Sequence, residues 1–192
     1  MHLLFQQDPL FPPGFSYREN FITEDEEKKL LDYIGRLKLH AFKFHGFMAR
    51  RMVASFGYDW SFTRRELSKG EKIPDPFGFL IERTGEEIDE APSHFAELLV
   101  SRYPPGSVIN WHRDAPPFDV IAGISLQADC TFRLRPYGKL LRTRKSVVSI
   151  PVSRRSLYVM VGPSRIEWEH CILPVTQERF SITLRTMRNK AL

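Results

Sequence analysis

The spacing of apolar positions changes along the chain, from a helical period before residue 92 to a strand-like one after it. Thr23-Glu24-Asp25-Glu26 has the form of a capping box, with Thr23 as N-cap and a glutamate three residues on. Leu30, Leu31, Ile34 and Leu37 then recur on one face, predicting a helix that runs to about Leu37, with Glu24/Lys28 and Asp25/Lys29 as i,i+4 pairs. A second helix is predicted to open at Asp75-Pro76, with Asp75 as N-cap, Pro76 at the first helical position and Pro92 as its stop. Leu80, Ile81 and Ile88 would turn its apolar face to a sheet. A short edge strand over Phe15–Phe21 precedes both helices. After Pro92 the runs are short and β-like: about Phe95–Tyr103, Val108–His112, Val120–Leu126, Thr131–Pro136, Ser146–Ile150, Ser156–Val161, Trp168–Leu173 and Arg179–Arg185. Turns separate them at Pro104–Gly106, Ala115–Pro117, Tyr137-Gly138 and Gly162-Pro163. Two helices followed by about eight strands argue for an α+β chain built round a jelly-roll sandwich or barrel.

Between the two predicted helices lies FKFHGFMARRMVASFGYDW, residues 42–60, where aromatics (Phe42, Phe44, Phe47, Phe56, Tyr58, Trp60) interleave with Lys43, His45, Arg50 and Arg51. Aromatic rings can stack on bases while arginines hold phosphates, which suits a nucleotide-gripping flap. A β-hairpin whose aromatics are plain core fits the same alternation. Arg64, Arg65, Lys69 and Lys72 continue the basic tendency in a predicted loop.

Composition narrows the class only a little. The 192 residues suit one domain, and 42% hydrophobic with 27% charged residues is the balance of a folded soluble protein. No apolar run approaches the roughly 20 residues that span a bilayer, and the N-terminus has no basic, cleavable leader. Cys130 and Cys171 are too few for a disulfide framework. The expectation is a monomeric, cytoplasmic protein with reduced thiols and no membrane partner. The net charge of +5 is compatible with a polyanion such as nucleic acid.

The chemistry concentrates in SRYPPGSVINWHRD, residues 101–114. His112 and Asp114 are two apart, so on a strand their side chains project to one face, the spacing two neighbouring ligands of a 2-His-1-carboxylate iron site require. Such a triplet alone is weak in a chain with six histidines and 23 acidic residues. His170, inside the apolar run Trp168–Leu173, is the candidate third ligand, a core histidine being the other reading. In the last strand Arg179, Ser181, Thr183 and Arg185 share one face, and Phe180, Ile182 and Leu184 the other. If the arginine face turns inward, two buried cations with no acidic partner in their own strand would await a dianion such as 2-oxoglutarate. If it turns outward, they are merely solvated.

The ordered blocks Arg102-Tyr103-Pro104-Pro105-Gly106, His112-Arg113-Asp114, His170 and Arg179–Arg185 together resemble the AlkB-like Fe(II)/2-oxoglutarate dioxygenases, over about Leu98 to Arg185. That resemblance implies a double-stranded β-helix, or jelly-roll barrel, over about 95–186. The two N-terminal helices would pack on its sheet, and a substrate-recognition flap would span about 42–75. It implies Fe(II) on His112, Asp114 and His170, with 2-oxoglutarate and O2 as co-substrates. Arg179 and the Tyr103 hydroxyl would hold the distal carboxylate of 2-oxoglutarate, and Arg185 would lie near the proximal one. Ser101 and Ser181 would line the pocket where better-studied members often carry Asn, an exchange that keeps one donor and one acceptor. Tyr58, Arg50, Arg51 and Trp111 would meet the substrate, and Ile124, Leu126 and Val159 would wall the site against water. The implied reaction is oxidative removal of an N-methyl group from a base of DNA or RNA, as in alkylation repair, with release of succinate, CO2 and formaldehyde. In a duplex the base must first be extruded. Arg133, Arg135, Arg142, Arg144, Lys145, Arg154 and Arg155 are candidate phosphate contacts. The same chemistry on a protein or small molecule, or a non-catalytic barrel, are the alternatives.

Overall fold

Strand β5 (Phe95–Tyr103) is flanked by β3 (Phe47–Ser61) and β12 (Arg179–Met187), and this trio forms the middle of the larger of two antiparallel sheets. A computed structural model of the protein describes residues 11–44, 47–61 and 63–188, with 42–44 and 47–49 described by backbone alone. The larger sheet continues on one side through β7 (Phe118–Leu126), β10 (Leu157–Met160) and β1 (Phe15–Arg18). On the other side lies β2 (His40–Phe44), and β4 (Glu66–Lys69) pairs with the far end of β3. The smaller sheet runs β6 (Ile109–His112), β11 (Trp168–Ile172), β8 (Cys130–Pro136) and β9 (Val148–Val152). The two sheets face one another as a jelly-roll sandwich and do not close into a continuous barrel.

Period-two alternation gives the larger sheet two unlike faces. Leu98, Val100, Ala122, Ile124, Leu126, Leu157, Val159, Ile182 and Leu184 point to one side, all of them buried. Helices α1 (Glu24–Ile34) and α2 (Gly78–Ile88) cover that side with Leu30, Ile34, Leu80 and Ile88. Helix α1 starts with the predicted capping box at Thr23 but stops at Gly35, short of Leu37. Helix α2 follows a 3-10 turn at Asp75–Phe77, so Pro74 caps that turn and Phe77, not Asp75, stands at the N-cap of α2. Its end is set by Asp89 in a left-handed conformation, before Pro92 is reached. Two further expectations need correction. The basic loop after Trp60 contains strand β4, whose four residues pair with Tyr58–Ser61. Ile124, Leu126 and Val159 do not wall the space between the sheets, because their parity sends them to the helix side.

The second core fills that inner space. Tyr103, Phe118, Ile121, Tyr158 and Met160 from the large sheet meet Phe132, Leu134, Ile150, Val152 and Ile172 from the small one. A five-residue helix α3 (Gly162–Ile166), foreshadowed only as a Gly162-Pro163 turn, leads into β11. No helix among the described residues is long and apolar enough to cross a membrane.

Candidate active site

Register places the first pair of candidate ligands. In the antiparallel pair β6·β11, His170 lies opposite His112, and opposed residues share a face. The ladder shifts immediately after, between His170 and Ile172, an irregularity of the kind that re-aims side chains at sites. The two imidazole centroids are 4.3 Å apart. Asp114 lies two residues past the end of β6 rather than on it. Arg165 holds that turn from α3, donating to the backbone carbonyls of Ala115 at 2.7 Å and Phe118 at 3.0 Å. Ligand atoms of His112, Asp114 and His170 all lie within 4.8 Å of one another.

Electrostatics favours a cation there. Burial opposes ionisation of Asp114, but Arg185 first and then the two imidazoles and Arg165 hold its carboxyl well below the usual range. Burial lowers both histidines, His170 to about 3, so each offers a neutral ring nitrogen. The His112 Nδ1 lies 2.9 Å from the Asn110 carbonyl and donates to it, which leaves Nε2 as the ligand atom. One Asp114 oxygen, Oδ1, accepts from Arg185 at 2.7 Å, while the buried Oδ2 has no hydrogen-bond partner among the described residues and lies 3.4 Å from His170 Nε2. An orphaned carboxylate oxygen between two neutral imidazoles fits a divalent metal ion.

The two arginines of β12 are not equivalent. Arg185 bridges two acids, Asp114 and Glu97, the latter at 2.5 Å. As expected, β12 itself supplies no acidic partner; those of Arg185 come from β5 and the Asp114 turn. Arg179 is completely buried; its Nε donates to Ser125 Oγ at 3.0 Å, and neither terminal nitrogen has a hydrogen-bond partner of normal geometry among the described residues. Its guanidinium carbon sits 5.0 Å from the Tyr103 ring centroid. Burial works to raise the Tyr103 phenol, yet Arg51 and Arg179 together pull it below its ordinary range. In the next row of the sheet Ser101, Ser181 and Ser125 stand side by side across three strands, and Tyr103 approaches Ser181 at 3.3 Å.

A cavity of about 860 Å³ opens over His112, Asp114 and Arg185. Trp60, Trp111 and Phe118 line it together with Arg51, Arg64, Asp59, Glu97 and His40. It therefore brings Arg51 and Trp111 to the site. Tyr58 is not brought there: it borders a separate groove beside β4 and the start of α2. Arg50 is exposed beside Gly106, outside the cavity lining. His45 lies outside the described residues, as do the side chains of Phe42, Lys43, Phe44 and Phe47.

The profile of the 2OG-Fe(II) oxygenase superfamily matches residues 17–188. The chain belongs to that superfamily. Its relatives are AlkB-like: it is 29% identical over 173 residues to the mouse tRNA (carboxymethyluridine(34)-5-O)-methyltransferase ALKBH8, a match covering 85% of this chain and 24% of that protein. It is 26% identical over 175 residues to the Xenopus tropicalis protein of the same name, covering 86% of this chain and 26% of that one. The chain thus spans about a quarter of the length of these relatives. The solved structure of OsALKBH1 superposes with a TM-score of 0.70 at 14% identity, over 92% of this chain and 98% of that one, which shows a shared fold. As a member of the superfamily the protein is a dioxygenase that uses Fe(II) and 2-oxoglutarate, and the His-Asp-His group fits the ion.

Glu97 and Arg165 were missed by sequence reasoning about this oxygenase. Glu97 carried a usable signal, because it shares parity with Tyr103 and Ser101 on β5. Arg165 carried none, since its contacts join segments about 50 residues apart.

Proposed function

We propose that this oxygenase oxidatively removes N-linked alkyl groups, methyl above all, from nucleic-acid bases. The observation that carries the reading is the cavity itself: tryptophans and arginines surround the opening onto the His-Asp-His group. Flat aromatic walls accept a base by stacking, and guanidinium groups meet its phosphates. Trp111 also faces the outer side of the small sheet, where the Arg135 and Arg133 guanidinium carbons lie 4.2 and 5.6 Å from its ring. Arg113 is 3.7 Å from the half-exposed Tyr137 ring a little further on. A strand could run from the cavity mouth across that basic, aromatic strip. Arg154 and Arg155 are committed to Glu27 and Glu24 of α1, and Arg135 and Arg142 to the buried Glu169, so these four leave the list of phosphate contacts and Arg133 and Arg113 remain on the strip. The mouse relative is named for a tRNA nucleoside, which supports a nucleic-acid partner.

In this reading His112, Asp114 and His170 hold the ferrous ion, and Arg185 fixes the rotamer of Asp114 by bracing it against Glu97. Arg179 receives the distal carboxylate of 2-oxoglutarate, with Tyr103 beside it and the serines Ser101 and Ser181 along the pocket wall. Iron, when bound, couples the decarboxylation of 2-oxoglutarate by O2 to hydroxylation of the N-methyl carbon. The co-substrate leaves as succinate and CO2, and the hydroxymethyl product breaks its N–C bond to release formaldehyde and the unmethylated base. Phe118, Ile121, Phe132 and Leu134 keep the space dry.

The test is succinate and formaldehyde release from protein reconstituted with Fe(II) and 2-oxoglutarate, with methylated and unmethylated DNA or RNA oligonucleotides. Release stimulated by the methylated strand is expected. Succinate formed with no response to any oligonucleotide would send the substrate to a protein side chain or a small molecule.

A further inference from the structure

Tyr158 is a buried polar group that the oxygenase motif does not contain. It pairs with Gly123 of β7, is 7% exposed, and its hydroxyl has no hydrogen-bond partner among the described residues. The phenol lies over the glycine: a Cβ at position 123 would meet the ring carbon Cζ at 2.2 Å and the hydroxyl oxygen at 2.5 Å. Only the missing side chain at Gly123 lets the ring occupy that place. Phe132 holds the ring from the other side, with centroids 4.7 Å apart, and Phe132 in turn stacks on His170 at 5.2 Å.

The position over Gly123 matters because of what stands next to it. Ser125 is two residues on, on the same face of β7, and its Oγ carries the Arg179 Nε. Same-face neighbours on a strand are roughly 7 Å apart. The Tyr158 hydroxyl and the Arg179 guanidinium therefore stand over adjacent sites of one strand, a gap that a carboxylate group fills. Both are buried and both have unused hydrogen-bonding capacity, Arg179 at its two terminal nitrogens. Two buried guanidinium nitrogens left unpaired are costly unless an acceptor arrives, and the Tyr158 hydroxyl stands ready to share it. Burial foremost raises the Tyr158 phenol, with Arg179 opposing, so it stays a neutral donor.

We propose that Tyr158 is a co-substrate-binding residue, its hydroxyl donating to the same distal carboxylate of 2-oxoglutarate that Arg179 receives. The carboxylate is then held by a guanidinium from β12 and by phenols from β5 and β10. Gly123 is the small residue that makes room for the third. This rests on the assignment of Arg179 to that carboxylate, and the experiment separates the two.

Binding of 2-oxoglutarate to the Fe(II)-loaded protein is measured anaerobically by calorimetry for wild type, Tyr158→Phe and Arg179→Gln. Phenylalanine keeps the packing on Phe132, so the melting temperature without co-substrate should not move. The affinity of Tyr158→Phe is expected to fall roughly tenfold or more, the loss of one hydrogen bond to a charged group. With 2-oxopentanoate, which lacks the distal carboxylate, wild type and Tyr158→Phe should bind alike; a purely structural role would weaken both ligands equally. Unchanged 2-oxoglutarate affinity in Tyr158→Phe beside a lost one in Arg179→Gln overturns the Tyr158 assignment alone. Unchanged affinity in both variants overturns the carboxylate pocket with it.

Discussion

The two faces of β12 carry opposite instructions. Phe180, Ile182 and Leu184 look toward the helices and are matched by other apolar groups; Arg179, Ser181, Thr183 and Arg185 look between the sheets. On the first face every contact is a burial contact, and its energy scales with area removed from water. On the second, side chains are nearly as buried but incompletely satisfied. Among the described residues Arg179 has two nitrogens and Arg185 one without a hydrogen-bond partner, and the neighbouring Asp114 has one such oxygen. A strand can therefore serve core and site at once, and what separates them is polar capacity left unused. Within the second face, Arg185 spends both terminal nitrogens on two carboxylates and organises the metal ligand, whereas both terminal nitrogens of Arg179 are left for a carboxylate from outside.

Substitutions can break that contrast in graded fashion. His112→Ala, on the cavity side at a strand end, should reduce succinate formation to background while the circular dichroism spectrum stays native. Leu98→Ala, on the helix side and fully buried, should cost about 2–5 kcal/mol in denaturant unfolding. The folded fraction of that variant should bind 2-oxoglutarate normally. Arg179→Lys keeps the charge but loses the fork, so co-substrate affinity should fall roughly tenfold to a hundredfold with little change in melting temperature.

The smallest effect belongs to the helix side. Arg83 donates to both oxygens of Glu26, at 2.6 and 2.9 Å, and chiefly for that reason the Glu26 carboxyl drops from 4.5 to about 2. A lowered folded-state pKa adds stability above the unfolded value and loses it as pH falls through the folded one. Glu26→Gln should therefore cost under about 1 kcal/mol at neutral pH, given the pair's partial exposure. That difference should narrow between pH 4.5 and 2, read by urea unfolding at several pH values.

Much of this was legible in the residues. Alternation identified β5 with its observed bounds and grouped Arg179, Ser181 and Arg185 on one face, and the capping box placed the start of α1. Alternation sorts residues into two sets but does not say which set turns inward. Ile124, Leu126 and Val159 were accordingly placed on the wrong side, and Tyr58, expected to meet the substrate, borders a different groove. Long-range pairings were the other gap: Glu97 with Arg185 spans 88 residues, and the His112–His170 opposition depends on a shifted ladder between distant strands. Local spacing carries no record of either.

The most direct test of the cavity-face account is anaerobic titration of Fe(II) in the presence of 2-oxoglutarate, comparing wild type with His170→Ala. The account predicts one ferrous ion and one 2-oxoglutarate bound per wild-type chain, and loss of tight iron binding in the variant. Equal iron binding by both proteins would contradict it.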